Sequence, residues 1–174
     1  MGRRPGEYVS AAARQTSFWS DGPSLDDARR DFEERLDDGT KCPCCNRYAK
    51  RYRRTIYDTM GRVLIWLCQE SGGVRFVELR RSWENGGDYA KLAYWDLVEA
   101  HPNKSKFYRP TKKGFSFVRG VMAVPRFAHV YNDKPEYFSG ETMTIHDCLG
   151  EQFDYDALMA GQGGVPKPPL QEQS

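Results

Sequence analysis

Between Lys41 and Arg54 the chain reads KCPCCNRYAKRYRR. Cys42, Cys44 and Cys45 fall within four positions, accompanied by six basic residues and two tyrosines. Thiolates are favoured zinc ligands, and two cysteines separated by two residues make half of a tetrahedral structural site. Cys42 and Cys45 have that spacing, and Pro43 stiffens the turn between them. A closed site needs two more ligands. Cys44 is the nearest candidate, His146 and Cys148 share a short segment far along the chain, and His129 is a further option. Zn2+ is therefore the cofactor to consider, with Cys42 and Cys45 as its first ligands. The plainer alternative is a reduced loop whose thiols bind nothing. A redox role ranks below both, because the motif does not follow a strand in a βαβ unit. Cys68 lies on the apolar face of an expected helix and belongs to the core.

The 174 residues carry 26 basic and 24 acidic side chains, a net charge of only +2 that conceals segregation. Lys41 to Arg62 holds seven basic residues and one acid, and His101 to Gly120 holds six basic residues and none. Asp26 to Asp38 has seven acids against three arginines, and Glu141 to Asp156 has five acids without Lys or Arg. Two basic segments on one surface would attract a polyanion despite near-neutrality overall. The first residues lack the apolar core of a secretory leader, and no apolar run approaches the ~20 residues that span a bilayer. A cytoplasmic chain with reduced thiols is expected, with no membrane partner.

Catalytic groupings are sparse. There is no phosphate loop, no GxSxG and no HExxH. In "HDC" at 146–148 the Cys and His are two apart and would not face each other on a helix. No enzyme is expected.

The elements that must position these residues are predicted as follows. Residues 1–22 read as a flexible arm. Residues 23–40 form an acidic amphipathic helix, capped by Ser24, with Leu25, Ala28, Phe32 and Leu36 as a narrow docking stripe. Residues 41–54 are the basic cysteine segment. The strongest helix runs from about Thr55 to Glu70, with Ile56, Met60, Val63, Leu64, Leu67 and Cys68 as its apolar face. "VRFVEL" alternates like a strand, and Gly87 to Ala100 carries a second helical pattern. "KFYRPTKKGFSFV" reads either as a hairpin or as a strand followed by a short helix. "VPRFAHVYNDKPEYF" is a hairpin turning at Asn132 to Pro135, and "TIHDCLGEQFDYDALM" is helical. Residues 161–174 are expected to be disordered.

Helix, short strand, helix and basic two-stranded segment follow one another as in a winged helix. The fold class expected is α+β. It is a winged helix-turn-helix core over 55–120, with an N-terminal helix, the cysteine segment and a hairpin-plus-helix extension over 121–160. The segment "KFYRPTKKGFSFV" resembles the wing of MarR-like and PadR-like regulators, where an aromatic strand residue precedes a Leu-Thr-x-x-Gly turn. Pro110 stands where Leu is usual, and Thr111 and Gly114 match. The Thr hydroxyl can cap the turn, and Gly permits a close or left-handed backbone there. From about Cys42 to Met159 the chain also resembles uncharacterised bacteriophage proteins that join a CPxC segment to such a winged helix. The stretches that carry this are "CPCCNRYAKRYRR", "LIWL", "KLAYWDLVE", "RPTKKGFSFVRG" and "FDYDALM".

The function these readings converge on is binding of double-stranded DNA, as a phage regulatory or replication accessory factor in the host cytoplasm. Arg47, Lys50, Arg51, Arg53 and Arg54 would hold phosphates. Basic charge leading into the long helix opposes its dipole, and phosphate contact would justify it. Helix 87–100 would approach the bases with Asn85, Tyr89 and Lys91. Lys104, Lys106, Arg109, Lys112 and Lys113 would grip the backbone from the wing. The alternative is a protein-interaction module that binds and modulates a host complex, for which the acidic segments offer a partner surface or a homodimer contact.

Overall fold

The computed structural model describes residues 24–79, 88–151 and 153–161. The expected arm and disordered tail, and Asn85, lie outside the described residues. The chain divides into two compact units, with the boundary between Lys50 and Arg51.

In the first unit, helix α1 spans Leu25–Arg35. Its start follows the expected chemistry. Ser24 accepts from the backbone N–H of Asp27, and Asp26 and Asp27 in the first turn complement the positive end of the helix dipole. Gly39, at φ +95°, then admits the left-handed backbone that turns the chain into β1, Thr40–Lys41. β1 pairs antiparallel with β2, Tyr48–Ala49, in the register Thr40↔Ala49 and Lys41↔Tyr48.

The second unit opens with β3, Tyr52–Arg54, and then α2, Asp58–Ser71. The long helix therefore starts three residues later than its apolar pattern suggested. Arg53 and Arg54 before it belong to β3 and Arg51 precedes that strand, so none of them stands in the first turn of the helix. Gly72, at φ +57°, closes α2. β4 is Val77–Glu78. Where one α-helix was expected over 87–100, a 3-10 helix runs Asp88–Trp95 and a strand, β5, follows at Val98–Ala100. Tyr89, Leu92 and Trp95 are spaced by three, which the three-residue turn of a 3-10 helix aligns on one buried face. Asp96, at φ +59°, breaks the helix and releases Leu97 and Val98 into the core.

Of the two readings of "KFYRPTKKGFSFV", the strand followed by a helix is observed. β6 is Phe107–Pro110 and α3 is Lys112–Val118. β6 is the central strand of an antiparallel sheet ordered β4–β6–β5. Pro110 sits opposite Val98, at the end of β6 beyond its pairing with β4, where its missing N–H costs little. Thr111 caps α3 through the N–H of Gly114 (3.0 Å), and its hydroxyl donates to the Asp96 carbonyl at 2.6 Å.

The expected second hairpin is present as β7, Val124–Tyr131, and β8, Lys134–Met143. Asn132 and Asp133 both take positive φ at its turn. β3 joins on the other side to give the sheet β3–β7–β8. Short helices α4, Ile145–Leu149, and α5, Tyr155–Met159, complete the unit. One apolar cluster runs from Ile56 to Leu158 and takes in α2, the 3-10 helix, α3, β7 and α4. The region after residue 120 shares this core. The architecture is mixed α and β, with several small antiparallel sheets. Among the described residues, no helix is long and apolar enough to cross a membrane.

Candidate functional site

The basic cysteine segment is split by the fold. Residues 41–50 belong to the β1–β2 hairpin, whereas Arg51 to Arg54 belong to the second unit.

In the hairpin, the Cys42 N–H donates to the Arg47 carbonyl and the Asn46 N–H donates to the Cys42 carbonyl, both at 2.8 Å. Asn46 adopts φ +58°, a conformation that asparagine tolerates better than most residues. This tight turn leaves Cys44 and Cys45 exposed and Cys42 half-buried, all three as free thiols. Backbone N–H groups of Cys45 and then Cys44, followed by the Cys45 side chain, hold the Cys42 thiol below the usual cysteine range. Arg47 is exposed, and Lys50 reaches the Asp38 carbonyl at 3.5 Å.

The other proposed ligands are engaged within the second unit. Cys148 is buried, its thiol donating to the Tyr57 carbonyl at 3.2 Å, and burial pushes it up to about 12. It is a core residue, because the α4 turn directs it at α2, where a Cβ on Gly61 would meet its sulfur at 2.9 Å. Cys68 is likewise buried, as expected, and raised to about 12 by desolvation. The His146 ring lies 4.2 Å from that of Tyr155. Among the described residues, no three His, Cys, Asp or Glu come together in a group able to hold a metal ion.

The β3 arginines lie on a sheet of aromatic residues. Arg53, His129 and Tyr137 form a cross-strand row, and residues directly opposed in a sheet share a face. The Arg53 guanidinium stands 4.6 Å from the Phe127 ring centre, and that of Arg51 5.3 Å from Tyr137. His129 stacks on Tyr137 at 4.2 Å with 13° between the planes, and its Nε2 is 2.7 Å from the Ser139 hydroxyl. Arg51 is also paired with Glu136 at 2.5 Å, and Arg54 stacks on Tyr52 at 4.8 Å. Of the three arginines, Arg53 is the exposed one. Nothing in the linear sequence marks Phe127, His129 and Tyr137 as neighbours of these arginines. The alternation in "RFAHVY" signals their strand, but only the pairing of β3 with β7 reveals what they touch.

Of the expected base-reading residues, Tyr89 and Lys91 are described, and both are engaged within the unit. Tyr89 is 8 % exposed, and its hydroxyl donates to the Leu79 carbonyl at 2.8 Å, so it anchors the 3-10 helix rather than facing solvent. Lys91 is half-buried and ion-paired with Asp88. Arg109, expected to grip phosphates from the wing, instead pairs with Glu99 across the β5–β6 ladder and stacks on Phe76 at 4.6 Å.

The connection between β5 and β6 differs. Lys104 and Lys106 are exposed, with Lys106 at φ +68°. The His101 Nδ1 accepts from the N–H groups of Asn103 and Lys104, at 3.0 and 3.1 Å, and fixes the start of the connection. Lys112 is exposed and Lys113 half-buried in the first turn of α3, which holds no acid. Positive charge there opposes the helix dipole, so this is where the electrostatic tension expected before the long helix is found.

No protein-family model, curated protein or solved structure matches the chain.

Proposed function

We propose that the second unit is a winged-helix module that binds double-stranded DNA through its phosphates, in a protein serving as a phage-type regulatory or replication accessory factor. The observation that carries this reading is the order of elements. Between α2 and α3 the chain runs strand, 3-10 helix, strand, strand, and the sheet is ordered β4–β6–β5. In a winged helix the last two strands make the wing, and here their connection bears exposed Lys104 and Lys106. Exposed Lys112, in the first turn of α3, adds positive charge nearby in the chain. Among the described residues, Tyr89 is buried and Lys91 is paired with Asp88, which favours contacts with phosphates over base reading.

The test is fluorescence anisotropy with random duplex DNA, from low to physiological salt. Binding should fall steeply with salt, with a log–log slope of about −0.9 for every phosphate neutralised. The variant K104E/K106E should weaken binding across all sequences and make the slope shallower by about 2. Absence of binding at low salt would sink the reading. The exposed Tyr137 and Phe138 on β8, at 40 % and 43 %, would then favour the second reading, a protein-interaction module.

A further inference from the structure

The β1–β2 hairpin offers a second chemistry, independent of nucleic-acid binding. We infer that its CPCCN turn is half of a zinc site completed by the same turn of a second copy of this chain, with Cys42 and Cys45 of each copy as the four thiolate ligands.

Three observations lead there. The first is the geometry of the turn. Cys42 and Cys45 bracket a two-residue turn beginning with Pro43, closed by the Asn46 N–H to Cys42 carbonyl bond and by the left-handed Asn46. The Cys42 N–H to Arg47 carbonyl bond closes the other side of the turn. The thiols are free and largely exposed, which a purely structural role for three adjacent cysteines would not require.

The second observation is elimination. The chain has five cysteines and three histidines, and all eight lie among the described residues. Cys68 and Cys148 are buried in the core of the other unit. His101 accepts two backbone N–H groups and His129 is tied to Ser139 and Tyr137, while His146 is exposed against Tyr155, beside a Cys148 that is itself buried. No group of three potential ligands exists among the described residues. A structural zinc takes four ligands. Among the described residues the turn brings together two ligands at zinc-knuckle spacing, and a second copy supplies the other two.

The third observation is charge. Zn2+ with four thiolates carries a net charge of −2. Lys41 and Arg47, exposed on either side of the turn, contribute two cations per copy and four per pair. This compensates the centre and offsets the repulsion of two basic hairpins meeting. It accounts for basic residues beside the cysteines without invoking a phosphate. Metal binding displaces the thiol protons to solvent, and no oxidation is involved.

The experiment uses the full chain, reduced and reconstituted with a zinc salt, then freed of unbound metal. Metal content is read by mass spectrometry and molar mass by light scattering. The expected result is one zinc per two chains in a dimer that separates into monomers with excess chelator. Cobalt in place of zinc should give the absorption of a tetrahedral tetrathiolate centre. The variant C42S/C45S should hold no metal and stay monomeric. Its thermal unfolding should match that of the metal-free parent, since neither Cys42 nor Cys45 is among the buried core residues. Cys44→Ser should keep both metal and dimer. One zinc per monomer, a dimer indifferent to chelator, or metal retained by C42S/C45S would each overturn the inference. So would the absence of bound metal in the parent.

Discussion

Two five-residue turns stand out in this chain, CPCCN at 42–46 and PTKKG at 110–114, and the fold uses them in opposite ways. The first is held by backbone hydrogen bonds and leaves Cys44 and Cys45 exposed. The second is keyed into the interior. Thr111 ties α3 to the Asp96 carbonyl, and Gly114 lies so close to the 3-10 helix exit that a Cβ would meet the Leu97 carbonyl oxygen at 2.1 Å. Gly114 is needed for that approach and not for an unusual φ. A turn displays chemistry when its backbone is self-sufficient, and serves packing when its side chains satisfy neighbouring groups.

The contrast can be broken at the packed turn first. Gly114→Ala drives a methyl group into a backbone carbonyl that cannot yield alone, so the unfolding free energy should fall by about 3 kcal/mol. Chemical denaturation would measure it, and a loss within error would show that α3 can shift. Thr111→Ala removes both the cap and the bond to Asp96, with an expected loss of about 1–2 kcal/mol. Thr111→Ser should restore most of it.

The cysteines sharpen the comparison. Cys68 and Cys148 are both raised to about 12 by burial, whereas an unfolded thiol titrates at the ordinary value of 9.0. A folded state whose acid is harder to ionise is fully stabilised below the unfolded value. That stability is lost as pH climbs from about 9 towards about 12, because the unfolded chain releases protons first. The melting temperature should therefore fall through this alkaline window, more steeply than in a variant with Cys68 and Cys148 replaced by Ala. A thiol reagent at neutral pH should label Cys42, Cys44 and Cys45 promptly and the other two only on unfolding. The smallest effect is expected at the displayed turn. In metal-free protein, Asn46→Gly should change stability by less than about 0.5 kcal/mol, since glycine accepts the positive φ that asparagine already tolerates.

Helix α1, with its Ser24 cap and acidic first turn, was readable because capping and dipole effects act within one turn of chain. The β7–β8 hairpin was readable from alternation and from Asn132-Asp133, which tolerate positive φ. The apolar face of α2 was readable from its period, and Met60, Val63, Leu64, Leu67 and Cys68 are all buried. The segment 87–100 shows the limit of that method. Tyr89, Leu92 and Trp95 fit a three-residue repeat as well as the longer α-helical one, and burial of all three selects the tighter helix.

The candidate site was legible only as composition. Local order determined that the cysteines would lie in a tight turn, that Thr111 would cap, and that the segment 101–120 would be basic. Tertiary structure decided which of those charges remain exposed. Arg109 is spent on Glu99 and Phe76, and Tyr89 on Leu79, while Arg53 comes to rest over Phe127, more than seventy residues away in sequence. The physical reason is range. Caps, turns and helix periods depend on neighbours a few residues apart, whereas burial and ion pairing depend on strand register, which is settled by the whole core at once.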